Sequence, residues 1–192
     1  GRFMQEAVAE GQGAMAAILG LSDEQVLAVC EAIAGDQIVE AVNFNSPGQV
    51  VIAGHFDAVQ RATEAAKAAG AKRALLLPVS VPSHCSLMKT AAKQLENLLS
   101  GTAIVPAAIP IINNVEAKVA VNPGEIRKAL VQQLCNPVRW VDSVRVMAEL
   151  GVDNVVECGP GKVLAGLSKR IDKTISVTSV YNSETLNKAL GG

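Results

Sequence analysis

The sequence is poor in aromatic residues, with one tryptophan, one tyrosine and three phenylalanines among 192 residues. A surface that stacks nucleic-acid bases needs aromatic side chains, so nucleic-acid binding is not expected. An excess of charge of one sign is also lacking, because 17 basic and 18 acidic residues leave a net charge of −1. This balance argues against partners such as nucleic acid or an anionic membrane.

Membrane-spanning runs and cysteine motifs are lacking as well. The longest stretch without a polar side chain, AIVPAAIPII (103–112), contains two prolines and is about half as long as a membrane span. The four cysteines form no C-x-x-C pair, which argues against a metal site or a redox motif and favours a reduced, cytoplasmic setting. No signal peptide is visible, and the chain opens on Gly1 rather than Met.

The first part of the chain predicts strand, helix, strand, strand, helix and strand in that order. The predicted strands are 14–20, 37–44, 49–54 and 74–81. The predicted helices are 22–34, with Ser22 and Gln25 as a reciprocal cap, and 55–70. This order is typical of the split βαβ pattern of a ferredoxin-like lobe.

The second part alternates helices and strands over longer intervals. Helices are predicted at 83–100, 123–135, 137–151 and 163–171, and strands at 108–115, 152–158 and 174–180. A further amphipathic helix is predicted at 2–10 and a short one near Ser183. Such alternation indicates a mostly parallel sheet with helices on its faces.

The stretch VSVPSHCSLM (79–88) holds one of the two histidines between groups with nucleophilic character. The pattern predicts Ser83 as an N-cap and His84 as the first helical residue, at a strand end where α/β proteins place their sites. A neutral imidazole there would accept a proton and act as a general base for a hydroxyl nucleophile. A capping or core histidine without a catalytic role is the alternative reading.

The nucleophile for such a base is harder to find. Adjacent helical side chains diverge by about 100°, which disfavours Cys85 as the partner of His84, although a Cys85–His84 hydrolase stays an alternative. Ser83 and Ser86 are better explained as helix caps. A G-x-S-x-G elbow, the usual position of a serine nucleophile in α/β sheets, does not occur in the sequence.

Several long stretches closely resemble the bacterial malonyl-CoA:acyl carrier protein transacylase family. They are the opening GRFMQEAV, VNFNSPGQVVIAG (42–54), AKRALLLPVSVPSHCSLM (71–88), LCNPVRW (134–140) and ECGPGKVLAGLSKR (157–170). The resemblance follows essentially the whole chain in order, and it covers only a C-terminal portion of such an enzyme.

The resemblance implies a fold and a reaction. The expected fold is α/β, an incomplete α/β-hydrolase-like parallel-sheet core (1–12 and 82–192) with an inserted ferredoxin-like βαββαβ lobe (13–81). The expected reaction moves a malonyl group from malonyl-CoA to the phosphopantetheine thiol of acyl carrier protein through an acyl-serine, in fatty acid biosynthesis. It uses no metal or redox cofactor, and the coenzyme A thioester is a substrate.

The resemblance also assigns roles to residues. His84 is the expected base, and the backbone carbonyl of Gln133 is expected to orient it in place of a triad carboxylate. The expected substrate-binding residues, with plain turn or capping roles as the alternative, are Ser83, Asn45, Ser46, Asn113 and Asn114. The expected contacts to carrier protein or coenzyme A, with solvated surface as the alternative, are Lys72, Arg73, Lys169 and Arg170.

Two of the family's functional groups are not in the sequence: the elbow serine and the arginine that binds the malonyl carboxylate. In the family both precede the position of Gly1, and the arginine stands directly before it, so a trypsin-like cut is a hypothesis. We expect the chain alone to be inactive, and we expect the absent segment or a second chain to cover exposed apolar surface. The alternatives are an acyltransferase module of a polyketide synthase, often marked by H-A-F-H or Y-A-S-H where this chain has V-P-S-H, and a non-enzymatic ferredoxin-like binding domain.

Overall fold

The computed structural model describes residues 1–79 and 81–191 of a mixed α/β chain. The chain divides into two compact units, Gly1–Trp140 and Val141–Gly192. Among the described residues, no helix combines the length and apolar character needed to cross a membrane.

The elements of the first unit are α1 Arg2–Ala7, β1 Gly13–Leu19, α2 Asp23–Ala34, β2 Val39–Ser46, β3 Gln49–His55, α3 Phe56–Ala68, β4 Arg73–Leu76, a 3-10 helix Ser86–Met88, α4 Lys89–Ser100, β5 Ile111–Asn113, β6 Lys118–Ala120 and α5 Pro123–Gln132. Those that begin in or next to the second unit are α6 Trp140–Glu149, β7 Asn154–Cys158, α7 Val163–Ile171, β8 Ser176–Val180 and α8 Ser183–Ala189.

A four-stranded sheet organises the first unit. Its strand order is β2-β3-β1-β4, and every neighbouring pair is antiparallel. Strands β2 and β3 are joined by Pro47 and Gly48, and the φ of Gly48 is +71°, as the third position of a type II turn requires. The strands and helices of this region follow one another in the predicted order.

The two faces of this sheet bury different partners because side chains alternate along each strand. One face packs against α2 and α3, where Ile18, Val50, Ile52 and Val59 are among the core residues. The other face places Met15, Val42, Val51 and Ala53 against Cys85 and Leu87. The chain that carries His84 is therefore attached to the second face through its neighbour Cys85.

Helix α2 begins as predicted, because Ser22 Oγ accepts the N–H of Gln25 while the Gln25 side chain accepts the N–H of Ser22. The prediction of a strand over 74–81 is wrong in extent. Strand β4 ends at Leu76, and Pro78, two residues later, has no N–H to donate to a strand partner. Ser80 lies outside the described residues.

The prediction of a helix from Ser83 is wrong at its start. The φ of His84 is +67°, a left-handed value that no right-handed helix contains. Helical structure begins at Ser86 as a single 3-10 turn, and α4 follows from Lys89. Neither the N-cap role of Ser83 nor the first-turn position of His84 is found.

The predicted strand over 108–115 is shorter than expected and lies in a different kind of sheet. Strand β5 pairs antiparallel with β6, which the sequence reading missed, in a small hairpin. Helix α5 follows directly, capped by Asn122 Oδ1, which accepts the N–H of Glu125, and opened by Pro123. Proline is favoured at this position because the first helical N–H has no partner within the helix.

The mostly parallel sheet predicted for the second part is wrong for the residues described. Of its described strands, β5 and β6 pair antiparallel, β7 and β8 pair in parallel, and Val138 adds a single parallel bridge to Asn43. Helix α7 connects these two strands, as in a βαβ unit. The carboxylate of Glu157, at the end of β7, accepts the N–H groups of Leu164 and Ala165 at 3.0 and 2.9 Å, which orders the start of α7.

A glycine at the end of β3 provides a test of this fold. A Cβ on Gly54 would overlap the carbonyl oxygen of Ile38, so we expect Gly54→Ala to lower the free energy of unfolding by about 2 kcal/mol or more. Gly101→Ala in the same unit is the control, because the nearest atom to a Cβ there is 4.0 Å away, and its effect should stay within about 0.5 kcal/mol. Urea unfolding measures both, and equal losses would contradict the close approach of β3 to Ile38.

Candidate active site

His84 lies in a turn that two backbone carbonyls hold. Its backbone N–H donates to the carbonyl oxygen of Leu134 at 3.1 Å, and its Nδ1 lies 2.7 Å from the carbonyl oxygen of Gln133. A carbonyl oxygen only accepts hydrogen bonds, so Nδ1 must carry the proton. In the neutral ring Nε2 is then the acceptor, and His84 is set up to take a proton there.

The two carbonyls belong to the C-terminal end of α5. Gln133 is the C-cap, and its N–H still donates to the Ala129 carbonyl. The last carbonyls of a helix have no partner within the helix and carry the negative end of the helix dipole. They accept the backbone N–H and the Nδ1–H of His84, so the backbone orients the ring without a carboxylate.

The Gln133 segment is itself held in place on both sides. The Gln133 side chain donates to the carbonyls of Asn136 and Pro137 at 3.1 and 3.3 Å. Val138 exchanges backbone hydrogen bonds with β2, donating to Val42 at 2.8 Å and accepting from Phe44 at 2.9 Å. The segment that orients His84 is therefore hydrogen-bonded to the outer edge of β2, the edge strand of the sheet.

The two candidate nucleophiles that follow His84 are unavailable, because Cys85 is buried and Ser86 is hydrogen-bonded to a carboxylate. Cys85 is 0% exposed, its thiol donates to the Pro82 carbonyl at 3.1 Å, and burial raises its pKa to about 12. Ser86 donates both its hydroxyl and its N–H to the carboxylate of Glu40, at 2.6 and 3.0 Å. The structure thus argues against the Cys85–His84 hydrolase, since a protonated, inaccessible thiol is not a nucleophile.

The predicted substrate-binding residues fall into separate places. Ser83 is half-buried and directly precedes His84. Asn45 and Ser46 are the last two residues of β2 rather than turn residues. Ser46 is 1% exposed, and its hydroxyl has no hydrogen-bond partner among the described residues.

Asn113 and Asn114 lie closer to Gln133. With Gln133 they line an apolar cavity of about 250 Å³ that also includes Ile112 and Leu130. The Asn113 side chain spans the β5–β6 turn, donating to the Lys118 carbonyl and accepting the N–H of Glu116, both at 2.8 Å. Its observed contacts are those of a turn residue, while the structure does bring it next to the residue that orients His84.

The predicted basic contacts belong to different units. Lys72 and Arg73 are exposed at the start of β4, and the Lys72 stem lies against Gly20, where an added Cβ would come within 2.7 Å of it. Lys169 and Arg170 are in the last turn of α7. Lys169 also lines an open depression of about 370 Å³ together with Lys173.

Two contributors to the site were missed in the sequence. The Leu134 contact uses a backbone carbonyl, which leaves no trace in the pattern of side chains. Glu40 did leave a signal, because it is an acidic residue inside an apolar strand, where charges are rare unless they have partners. Among the described residues, no group of three or more His, Cys, Asp or Glu side chains is placed to hold a metal ion.

Comparison with known proteins gives a consistent family. The family described as "Acyl transferase domain" matches residues 1–184. The malonyl CoA-acyl carrier protein transacylase of Escherichia coli K12 is 55% identical over 190 residues, which are 99% of this chain and 62% of the relative. The enzyme of the same name from Bacillus subtilis 168 is 42% identical over 191 residues, which are 99% of this chain and 60% of the relative.

Solved structures agree with these relatives. A malonyl-transacylase in complex with its type II PKS acyl-carrier protein superimposes with a TM-score of 0.97 at 53% identity, over 99% of this chain and 62% of that chain. An acyl-carrier-protein S-malonyltransferase from Burkholderia pseudomallei gives 0.95 at 50% identity, over 100% of this chain and 62% of that one. The chain therefore spans about 62% of the length of these matched structures.

The two histidines are expected to have opposite neutral tautomers. His84 carries its proton on Nδ1, whereas His55 Nδ1 accepts the N–H of Ile38 at 2.8 Å, so that His55 carries its proton on Nε2. Long-range ¹H–¹⁵N correlation spectra of the ring nitrogens distinguish these forms, and a His55→Asn variant assigns the signals. Protonation of both neutral rings on Nε2 would contradict the contact between His84 and Gln133.

Cysteine labelling tests the burial of the thiols. Burial raises the pKa of Cys30 and Cys85 to about 12, while Cys158 is exposed. At about pH 8, iodoacetamide should modify Cys158 and leave Cys30 and Cys85 unmodified in the folded chain. Mass spectrometry of peptides reads the sites, labelling in urea is the control that should modify all four, and rapid labelling of Cys85 in the folded chain would show that it is accessible.

Proposed function

The chain belongs to the acyl transferase domain family, and we propose that it supplies the base of an enzyme that moves a malonyl group from malonyl-CoA to acyl carrier protein. The whole reaction belongs to a longer protein, since the matched relatives exceed this chain in length. The names of these transacylases supply the substrate and the carrier in this proposal.

One observation carries the proposal: His84 donates from Nδ1 to the Gln133 carbonyl. This contact leaves Nε2 as the basic nitrogen of a half-buried residue, and the ring is placed by the backbone rather than by a flexible side chain. A base that serves a hydroxyl nucleophile needs both properties.

In the first half of the proposed reaction, Nε2 takes the proton of a serine hydroxyl. The serine oxygen attacks the thioester carbonyl, the carbon–sulfur bond breaks, and the imidazolium returns the proton to the sulfur of coenzyme A. The carbonyls at the end of α5 stabilise the ring while it is charged. The serine and the arginine for the malonyl carboxylate are implied by the family resemblance and are not residues of this chain.

In the second half, the phosphopantetheine thiol of the carrier gives its proton to Nε2, and its sulfur attacks the acyl-serine. The carbon–oxygen bond breaks, and the serine oxygen takes the proton back. Base and nucleophile suffice for both halves, so the proposal needs no metal or redox cofactor. Coenzyme A enters only as the substrate thioester.

Binding roles follow from the same proposal. The polar residues that would line the cleft for the acyl chain and pantetheine are Ser83, Asn45, Ser46, Asn113 and Asn114. The apolar cavity beside Gln133 supports this for the two asparagines of β5 and its turn. The exposed basic residues Lys72, Arg73, Lys169 and Arg170 would contact the acidic carrier or the phosphates of coenzyme A.

The proposal also assigns the chain to a ferredoxin-like lobe and an α/β-hydrolase-like core. Residues 13–81 would form a ferredoxin-like lobe, supported by the antiparallel order β2-β3-β1-β4 and its βαββαβ connections. Residues 1–12 and 82–192 would belong to an α/β-hydrolase-like core, supported by the β7–α7–β8 unit. The chain alone would be inactive without its nucleophile, and four free cysteines favour a cytoplasmic location.

A second carrier is supported by a specific observation. The superimposed complex contains a type II PKS acyl-carrier protein, so polyketide synthesis is the alternative context for the same transfer. V-P-S-H at 81–84 favours the free-standing enzyme over a module that carries H-A-F-H or Y-A-S-H. A comparison of transfer rates to fatty-acid and polyketide carriers distinguishes the two contexts.

The proposal is tested in a chimera in which this chain replaces the matching residues of the Escherichia coli relative. We expect the chimera to transfer malonyl groups, and we expect His84→Ala to slow acyl-enzyme formation by about 10²–10⁴-fold, because general-base catalysis is lost. Stopped-flow measurement of acyl-enzyme formation from malonyl-CoA gives the rate.

The matched control is His55→Ala in the same chimera. His55 caps α3 and binds the Ile38 N–H, so its loss should leave acylation unchanged once the folded fraction is accounted for. A folded chimera without malonyl transfer would refute the proposed function, and a loss under about threefold with His84→Ala would refute the role of the base.

A further inference from the structure

A carboxylate on β2 holds the residue that follows the His84 turn. Glu40 Oε2 accepts the N–H of Ser86 at 3.0 Å, and Glu40 Oε1 accepts its hydroxyl at 2.6 Å. Both bonds join the same two residues and both are partly buried. A carboxylate acceptor makes such bonds roughly twice as strong as neutral ones. We refer to these two residues as the Glu40–Ser86 pair.

The pair lies where the backbone needs support. His84 is one of two non-glycine residues with positive φ among those described, and such a conformation persists only where the surroundings hold it. Across the turn, the thiol of Cys85, the residue after His84, donates to the carbonyl of Pro82, two residues before His84. After the turn, Ser86 donates both its N–H and its hydroxyl to Glu40, so the pair fixes the exit of the turn.

The same strand holds both parts of the site. Glu40 of β2 binds Ser86, while Val42 and Phe44 of β2 bind Val138 in the segment that follows Gln133. The turn at His84 and the segment after Gln133 are thus both attached to β2. Their attachment points on this strand, Glu40 to Phe44, lie at most four residues apart. A change at Glu40 would shift the ring relative to that carbonyl without touching either group.

We propose that Glu40 is a positioning residue, which acts through Ser86 to keep the His84 ring in register with the Gln133 carbonyl. The positioning of the ring is supported by the hydrogen bonds of the Glu40–Ser86 pair and by those between β2 and Val138. Its catalytic consequence rests on the proposed function of His84 as a base. Glu40 contacts no reacting atom and takes no proton in the transfer.

The structural part is tested in this chain by exchange of the His84 Nδ1–H with solvent, followed by NMR. Glu40→Ala should speed this exchange about tenfold or more, because it removes a charge-assisted acceptor. Ser86→Ala keeps the N–H bond and should have a smaller effect. Glu40→Gln keeps an acceptor oxygen and should restore most of the protection.

Ser22→Ala is the matched control, because it removes a hydroxyl that accepts a backbone N–H at α2 in the same unit. It should leave the His84 signal unchanged. If Glu40→Ala fails to fold, the exchange of the His84 Nδ1–H is compared between Ser86→Ala and the unsubstituted chain. Unchanged Nδ1–H exchange in every folded variant of the pair, or an equal change in Ser22→Ala, overturns the proposal.

The catalytic part is tested by a double-mutant cycle in the chimera. Glu40→Ala should lower the rate of acyl-enzyme formation about tenfold with KM unchanged, and should cause no further loss in the His84→Ala background, since residues that act together are not additive. Equal losses in both backgrounds would show a merely structural role and contradict the inference. If His84→Ala itself has no effect, the proposed function fails, while the exchange measurement still decides the role of Glu40.

Discussion

The hydrogen bond from His84 Nδ1 to the Gln133 carbonyl, 2.7 Å long, is the contact on which the candidate site depends. It sets the tautomer, directs Nε2 away from the backbone, and uses a carbonyl that α5 cannot satisfy internally. The cost of the left-handed backbone at His84 is offset by this bond and by the second one to Leu134. In the proposed function, a peptide carbonyl at a helix end thereby takes the orienting role of the carboxylate in a serine hydrolase triad.

The surrounding fold serves to bring that carbonyl and that ring together across 49 residues of chain. Strand β2 binds the turn after His84 through Glu40 and the segment after Gln133 through Val42 and Phe44. The buried Cys85 attaches the same turn to the second face of the sheet. A single edge strand therefore aligns two segments that are distant in sequence, and this alignment leaves Nε2 of His84 as a proton acceptor.

Local signals in the sequence predicted the local structure well. The capping box of α2, the Pro-Gly turn after β2 and the order of strands and helices from β1 to β4 follow from neighbouring residues, and the structure agrees with them. The turn at His84 was mispredicted, because its conformation depends on Glu40, Gln133 and Leu134, all distant along the chain. The hairpin strand β6 was missed for a similar reason, since three residues carry too little pattern. The role of Gln133 was accessible only through family resemblance, because a backbone carbonyl has no side-chain signature.

Chemical rescue tests the central claim most directly. Glycine adopts the +67° φ of residue 84 without strain, so His84→Gly in the chimera removes the ring while it keeps the turn. Acyl-enzyme formation should fall sharply in this variant and recover in proportion to added imidazole, which takes the vacated place beside the Gln133 carbonyl. A rate that the substitution leaves unchanged, or a loss that imidazole does not reverse, would contradict a base held by that carbonyl.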